Sequence, residues 1–193
     1  MTMHAELTDA AEAAALIVGK VTPAQLDSPT PCADWDVRTL LNHLILWTSH
    51  SLERRAHGES AAPELTDRDF AAAPDFAAAY RAQLGSALAA WADPAVWDRE
   101  LDLMGTKTPA ADVAGLIIAE LVLHGWDLAT ATGQDYSVSV RAAEAALRAV
   151  EASAELFRQY KGFADPLSAA TGATALDGVL ALSGRDPAWT PAR

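Results

Sequence analysis

Apolar residues along this chain of 193 residues recur at helical spacing, and the runs break at proline, glycine and short polar clusters. The first predicted helix runs from about Thr8 to Gly19, capped by Thr8 or Asp9 and anchored by Leu16 and Ile17. Thr22-Pro23 and Ser28-Pro29-Thr30-Pro31 cannot lie inside a helix, because proline lacks the N–H and clashes with the preceding turn. A second helix opens at Asp34 or Asp36, where acidic side chains suit the positive end of the dipole, and closes near His57-Gly58. Residues 59–71 read as a loop. Pro74 or Asp75 opens a third helix to about Trp91, and Asp93-Pro94 stops it. Trp97–Pro109 reads as an extended connector. Thr108-Pro109 starts a fourth helix that reaches about Ala131 and stops at Gly133. Ser137 or Ser139 caps a fifth, through about Gln159. A shorter helix from Thr171 to Ser183 is ended by Gly184-Arg185-Asp186-Pro187.

Helices joined by short loops pack as antiparallel neighbours, so the expected fold is all-α. It comprises a four-helix bundle over residues 8–133 and one or two additional C-terminal helices over 134–193, within a single domain spanning 1–193. Hydrophobic residues make up 51%, enough for a sizeable core. With 14 basic and 26 acidic residues the formal charge is −12, which argues against nucleic acid and against an anionic membrane surface as partners. The single cysteine, Cys32, can form neither an internal disulfide nor a cysteine-based zinc site. With no basic leader in Met1–Glu6, this points to a cytoplasmic protein. The apolar run Ala114–Leu123, interrupted by Glu120 and followed by His124, is expected to be too short and too polar to span a bilayer. A monomer or a homodimer is the expected assembly.

Chemistry concentrates in three polar side chains inside apolar helical runs. Glu120 and His124 are one turn apart on the fourth helix, among Leu116, Ile117, Ile118, Leu121 and Val122. A carboxylate there needs a cation or hydrogen bonds, and a divalent metal satisfies both side chains at once. His43, within Leu40-Leu41-Asn42-His43-Leu44-Ile45, is the best third ligand. Two histidines and one carboxylate leave coordination positions open, as catalytic metal sites do. The same pattern is met by a hydrogen-bonded core histidine beside a simple i,i+4 helix pair. Asp127, three residues after His124, is a candidate to orient a ligand from behind. His50 is too far along its helix to share an ion with His43, His4 falls in a tail, and Trp35, Trp47 and Trp126 read as packing residues. Cys32, beside Pro31, has no legible low-pKa surroundings, and no catalytic residue is assigned.

Three stretches together resemble a known family. Thr30-Pro31-Cys32-Ala33-Asp34-Trp35-Asp36-Val37, continued to His43-Leu44, is similar to the TPC-x-x-W-x-V-x-x-L-x-x-H opening of DinB-like proteins. Glu120–Ala129 is similar to their E-x-x-x-H-x-W-D-L-A segment, and Leu180–Trp189 to the tail of their short metal-binding branch. The resemblance extends to mycothiol-dependent maleylpyruvate isomerases and mycothiol S-transferases. It implies a four-helix bundle holding a divalent metal on His43, Glu120 and His124, usually Zn2+, with Ni2+ or Fe2+ as alternatives. It also implies mycothiol as a cosubstrate presented as thiolate. The function so implied is metal-dependent transfer of a low-molecular-weight thiol to a small electrophile. The alternatives are a metal- or small-molecule-binding protein without turnover, and the isomerase itself. The isomerase carries a longer C-terminal region, whereas the residues after 133 here read as helix.

Overall fold

A computed structural model describes residues 2–60, 63–103 and 105–190. Seven α-helices and one β-hairpin are present among them, so the fold is all-α apart from one small two-stranded element. The helices are α1 (His4–Val18), α2 (Val37–Ile45), α3 (Ser51–Ala56), α4 (Phe76–Trp91), α5 (Ala110–Thr132), α6 (Val140–Gln159) and α7 (Ala175–Leu182). The apolar faces of α1, α2–α3, α4 and α5 close around one core, with α5 packed on α1 and α2, and α4 on α1 and α3. Outside this bundle α6 covers α5 and α1, and α7 packs on α6.

Local chemistry sets most boundaries. Asp36 caps α2 by accepting the Thr39 N–H at 2.8 Å. Ser139 caps α6 through Ala142, and Thr174 with Asp177 forms a capping box on α7. Gly133, at φ 69°, supplies the left-handed residue that ends α5.

Six expectations need correction. The first helix begins at His4, not Thr8. It has no side-chain cap to mark it, and His4 is no tail residue: its Nε2 lies 3.0 Å from the Leu88 carbonyl of α4. Leu16 does not anchor α1, being 57% exposed, and the core face is instead Leu7, Ala10, Ala14, Ile17 and Val18. The second helix is not uniform: α2 and α3 are joined through a π-helical segment, Leu46–His50. There the Thr48 and Ser49 hydroxyls donate to the Leu44 and Ile45 carbonyls, which loosens the regular ladder. The connector before α5 is a hairpin, β1 (Glu100–Leu103) with β2 (Thr106–Pro109), pairing Leu101 with Thr108 and Leu103 with Thr106. Finally, the last helix starts at Ala175, later than Thr171.

The run Ala114–Leu123 belongs to a 23-residue helix, α5, which is long and apolar enough to cross a membrane by length and composition alone, contrary to expectation. In this fold 83% of its apolar stretch is buried against neighbouring helices. Glu120, His124 and Asp127 project from this central helix, and His43 comes from α2.

Candidate metal centre

His43 on α2 faces Glu120 and His124 on α5. Glu120 Oε2 lies 2.8 Å from His43 Nε2 and 3.3 Å from His124 Nε2. One donor atom from each residue falls within 4.8 Å of the others. The two imidazole rings meet edge to face, with centroids 4.9 Å apart. The packing of α2 on α5 sets this convergence, and the i,i+4 spacing stacks Glu120 beneath His124.

Behind the cluster stands a second layer. His124 Nδ1 is 2.9 Å from Asp127 Oδ2, and Asp127 is clamped by Arg185, whose Nε and Nη2 donate to its two carboxylate oxygens at 2.9 and 2.8 Å. An ionised carboxylate only accepts, so Nδ1 of His124 carries the proton and Nε2 faces the cluster with its lone pair in the neutral ring. Asp127 is fully buried and Arg185 is 8% exposed. For His124, burial alone would lower the pKa, but Glu120 and Asp127 outweigh it and raise the imidazole to about 9. For Glu120, burial would raise the pKa, and the two histidines overcome it, holding the carboxyl well below the usual range. Asp127 is likewise lowered, with burial outweighed chiefly by Arg185.

His43 borders a cavity of about 320 Å³ that is also walled by Trp35, Asn42, Trp47, Arg68 and Asp69 among others. Trp35 packs against both histidines, with ring centroids 4.8 Å from His43 and 5.7 Å from His124. Trp35 and Trp47 pack against the core as expected and also wall this cavity, while Trp126 is a core residue. Asp69 ties the rim down by accepting from Arg38 and Asn42. Cys32 lies on the far side of His124, close enough to group with His124 and Asp127. Burial, reinforced by Asp127, pushes its thiol up to about 11, so it is a poor nucleophile. His50 stays apart, stacked on Phe70 at 5.2 Å.

Sequence reasoning missed Arg185 and the two tryptophan walls. A buried Asp127 demands a cation, which is a usable signal, but nothing local says that the cation arrives from 58 positions away.

Two imidazoles and one carboxylate converge inside a helical bundle, with a histidine oriented from behind and tryptophans alongside, so this is a helical-bundle protein with a donor set that could hold a divalent metal. The chain belongs to the mycothiol maleylpyruvate isomerase N-terminal domain family, a DinB-like-related family whose model matches residues 7–129. Two relatives are the uncharacterized proteins Rv0738 and MT0763 of Mycobacterium tuberculosis strains H37Rv and CDC 1551. Each is 29% identical over 144 residues, covering 74% of this chain and 74% of the relative. No solved structure matches.

Proposed function

We propose that this protein is a metal-dependent thiol S-transferase that conjugates a low-molecular-weight thiol, mycothiol, to a small electrophile. The observation that carries the reading is the convergence of His43, Glu120 and His124, with His43 on the wall of an open cavity. The donor set fits a divalent first-row ion: two imidazole nitrogens and one carboxylate, which leave coordination positions for a ligand. Zn2+ is the ion we assign, and mycothiol is favoured by the family to which the chain belongs.

The ion would lower the pKa of a bound thiol, so that thiolate is available near neutral pH, where a free thiol is mostly protonated. The chain's own residues do the rest. Glu120 offsets one positive charge and stays ionised across the physiological range. Asp127, held by Arg185, accepts the Nδ1–H of His124 and fixes the ring so that Nε2 faces the cluster. Trp35 and Trp47 wall the cavity and limit water beside the reacting sulfur. In the transfer the sulfur forms a bond to an electrophilic carbon, the thiol proton goes to solvent, and the leaving group departs with its electron pair.

Metal content of untagged protein and of His124→Ala is the first test, since a histidine tag would scavenge metal. We expect one divalent ion per chain in the wild type and its loss in the variant; equal occupancy overturns the site. The second is the initial rate of mycothiol conjugation to a bimane reagent against pH. The rate advantage should be largest near and below neutral pH and shrink towards the thiol's own pKa. Metal-replete protein that accelerates no thiol would leave a binding protein without turnover. The isomerase reading is favoured by the family match over residues 7–129 and is decided by direct assay with maleylpyruvate.

A further inference from the structure

Ser51 and Arg55 stand one turn apart on α3, and both are buried. Among the described residues, Ser51 Oγ and the Nε and Nη1 of Arg55 have no hydrogen-bond partner. Arg55 is only 5% exposed, so its cation is withdrawn from water without an acceptor in return. Native proteins seldom leave such groups bare, and those that do have a reason for each. The contrast within the molecule is direct: Arg185, equally buried, is paired through two hydrogen bonds.

Neighbouring charges do not fill the gap. Asp102 on β1 is the opposite charge that Arg55 feels, yet its Oδ1 accepts the Gly105 N–H and it forms no ion pair with Arg55. Burial lowers the guanidinium's pKa, and Asp102 offsets this only in part. Nearby cations are already committed, Arg99 to the Ala56 carbonyl and Arg54 to Glu59, Glu64 and the Ser60 carbonyl. The Arg55 guanidinium carbon lies 5.8 Å from the ring centroid of Trp47. That indole lines the cavity of the candidate metal centre, with its ring 6.4 Å from His43. The π-helical segment that carries Trp47 ends where Ser51 begins, and such segments concentrate at functional sites.

We propose that Arg55 and Ser51 form a binding site for a small carboxylate, entered past Trp47 from the cavity. A guanidinium offers planar, charge-assisted donors that match a carboxylate, and the Ser51 hydroxyl adds another. A single uncommitted cation under an aromatic ring suits a monoanion better than a phosphate dianion. The site stands on its own geometry and does not depend on a metal at His43.

The test uses full-length protein stripped of metal with a chelator. Thermal midpoints are measured in sodium acetate, sodium phosphate and sodium chloride at matched ionic strength. Acetate should raise the wild-type midpoint by about 3 °C or more over chloride, saturably, as a ligand bound only to the folded state does. Phosphate should do less. Arg55→Met, which removes an unpaired buried charge, should match or exceed the wild-type midpoint in chloride and lose the acetate response. Arg55→Lys keeps the charge without the planar donors and should need at least about tenfold more acetate. His124→Ala should keep the response, which separates this site from the metal centre. Wild-type curves that coincide in acetate and chloride overturn the proposal, as does a phosphate response larger than acetate. It also fails if Arg55→Met keeps the response, or if Arg55→Lys responds like the wild type.

Discussion

Replacing Arg185 by Met strips Asp127 of its cation while leaving the carboxylate fully buried. The two hydrogen bonds at 2.9 and 2.8 Å are lost, and His124 becomes the only side-chain partner of Asp127 among the described residues. Breaking a buried pair from one side costs about 3–5 kcal/mol, because the survivor keeps its desolvation penalty. For a chain of this size a kilocalorie moves the midpoint by about 2–4 °C, so a fall of about 6–20 °C is expected. The assay is thermal and urea unfolding of wild type, Arg185→Met, Asp127→Asn and the double variant. In the double variant a neutral amide still accepts from His124 and no bare charge remains. The double variant should therefore be less destabilised than the sum of the singles by about 2 kcal/mol or more. An additive cycle, or a cost below about 1 kcal/mol for Arg185→Met, would refute the pairing. Metal affinity gives an independent readout, since a His124 ring without a fixed partner should bind about 10-fold more weakly or worse.

Three further outcomes are expected. In metal-stripped protein, the folded-state pKa of His124 is about 9, against an ordinary value of about 6.5 in the unfolded chain. Its contribution is therefore complete below pH 6.5 and is lost as pH rises towards 9, a decline that chemical denaturation should detect and that His124→Gln should abolish. Tyr136 has a buried hydroxyl with no partner among the described residues, so Tyr136→Phe should be neutral or stabilising by up to about 1 kcal/mol. A Cβ on Gly125 would meet that hydroxyl at 2.9 Å, so Gly125→Ala should cost about 1–3 kcal/mol, partly relieved in the double variant.

Helix existence was legible because the apolar faces repeat and because Asp36, Ser139 and Gly133 carry local signals for their positions. The start of α1 was not, since Met3 offers no capping side chain. The hairpin escaped because four-residue strands such as Glu100–Leu103 are too short for alternation to stand out. At the centre, polar residues stranded in apolar runs, His43, Glu120 and His124, pointed to one another, because burial of a carboxylate implies company. Arg185 could not be paired from sequence, because tertiary folding alone brings α7's end back to α5. Trp35 reads the same whether it fills a core or walls an opening.

The π-helical segment between α2 and α3 has an angular consequence. In a regular α-helix every fourth residue advances about 40° beyond a full turn, so a row at that interval winds slowly away from its starting side. A π-turn winds less per residue and cancels part of that drift. His43, Trp47, Ser51 and Arg55 form such a row and straddle the segment, so they stay nearly in line, as teeth on a comb do. Removing one residue at Ser49 would restore regular winding and place Ser51 seven positions after His43, about 20° short of two turns, so the row would survive the deletion, whereas straightening the segment at its present length would swing Ser51 and Arg55 out of phase with His43.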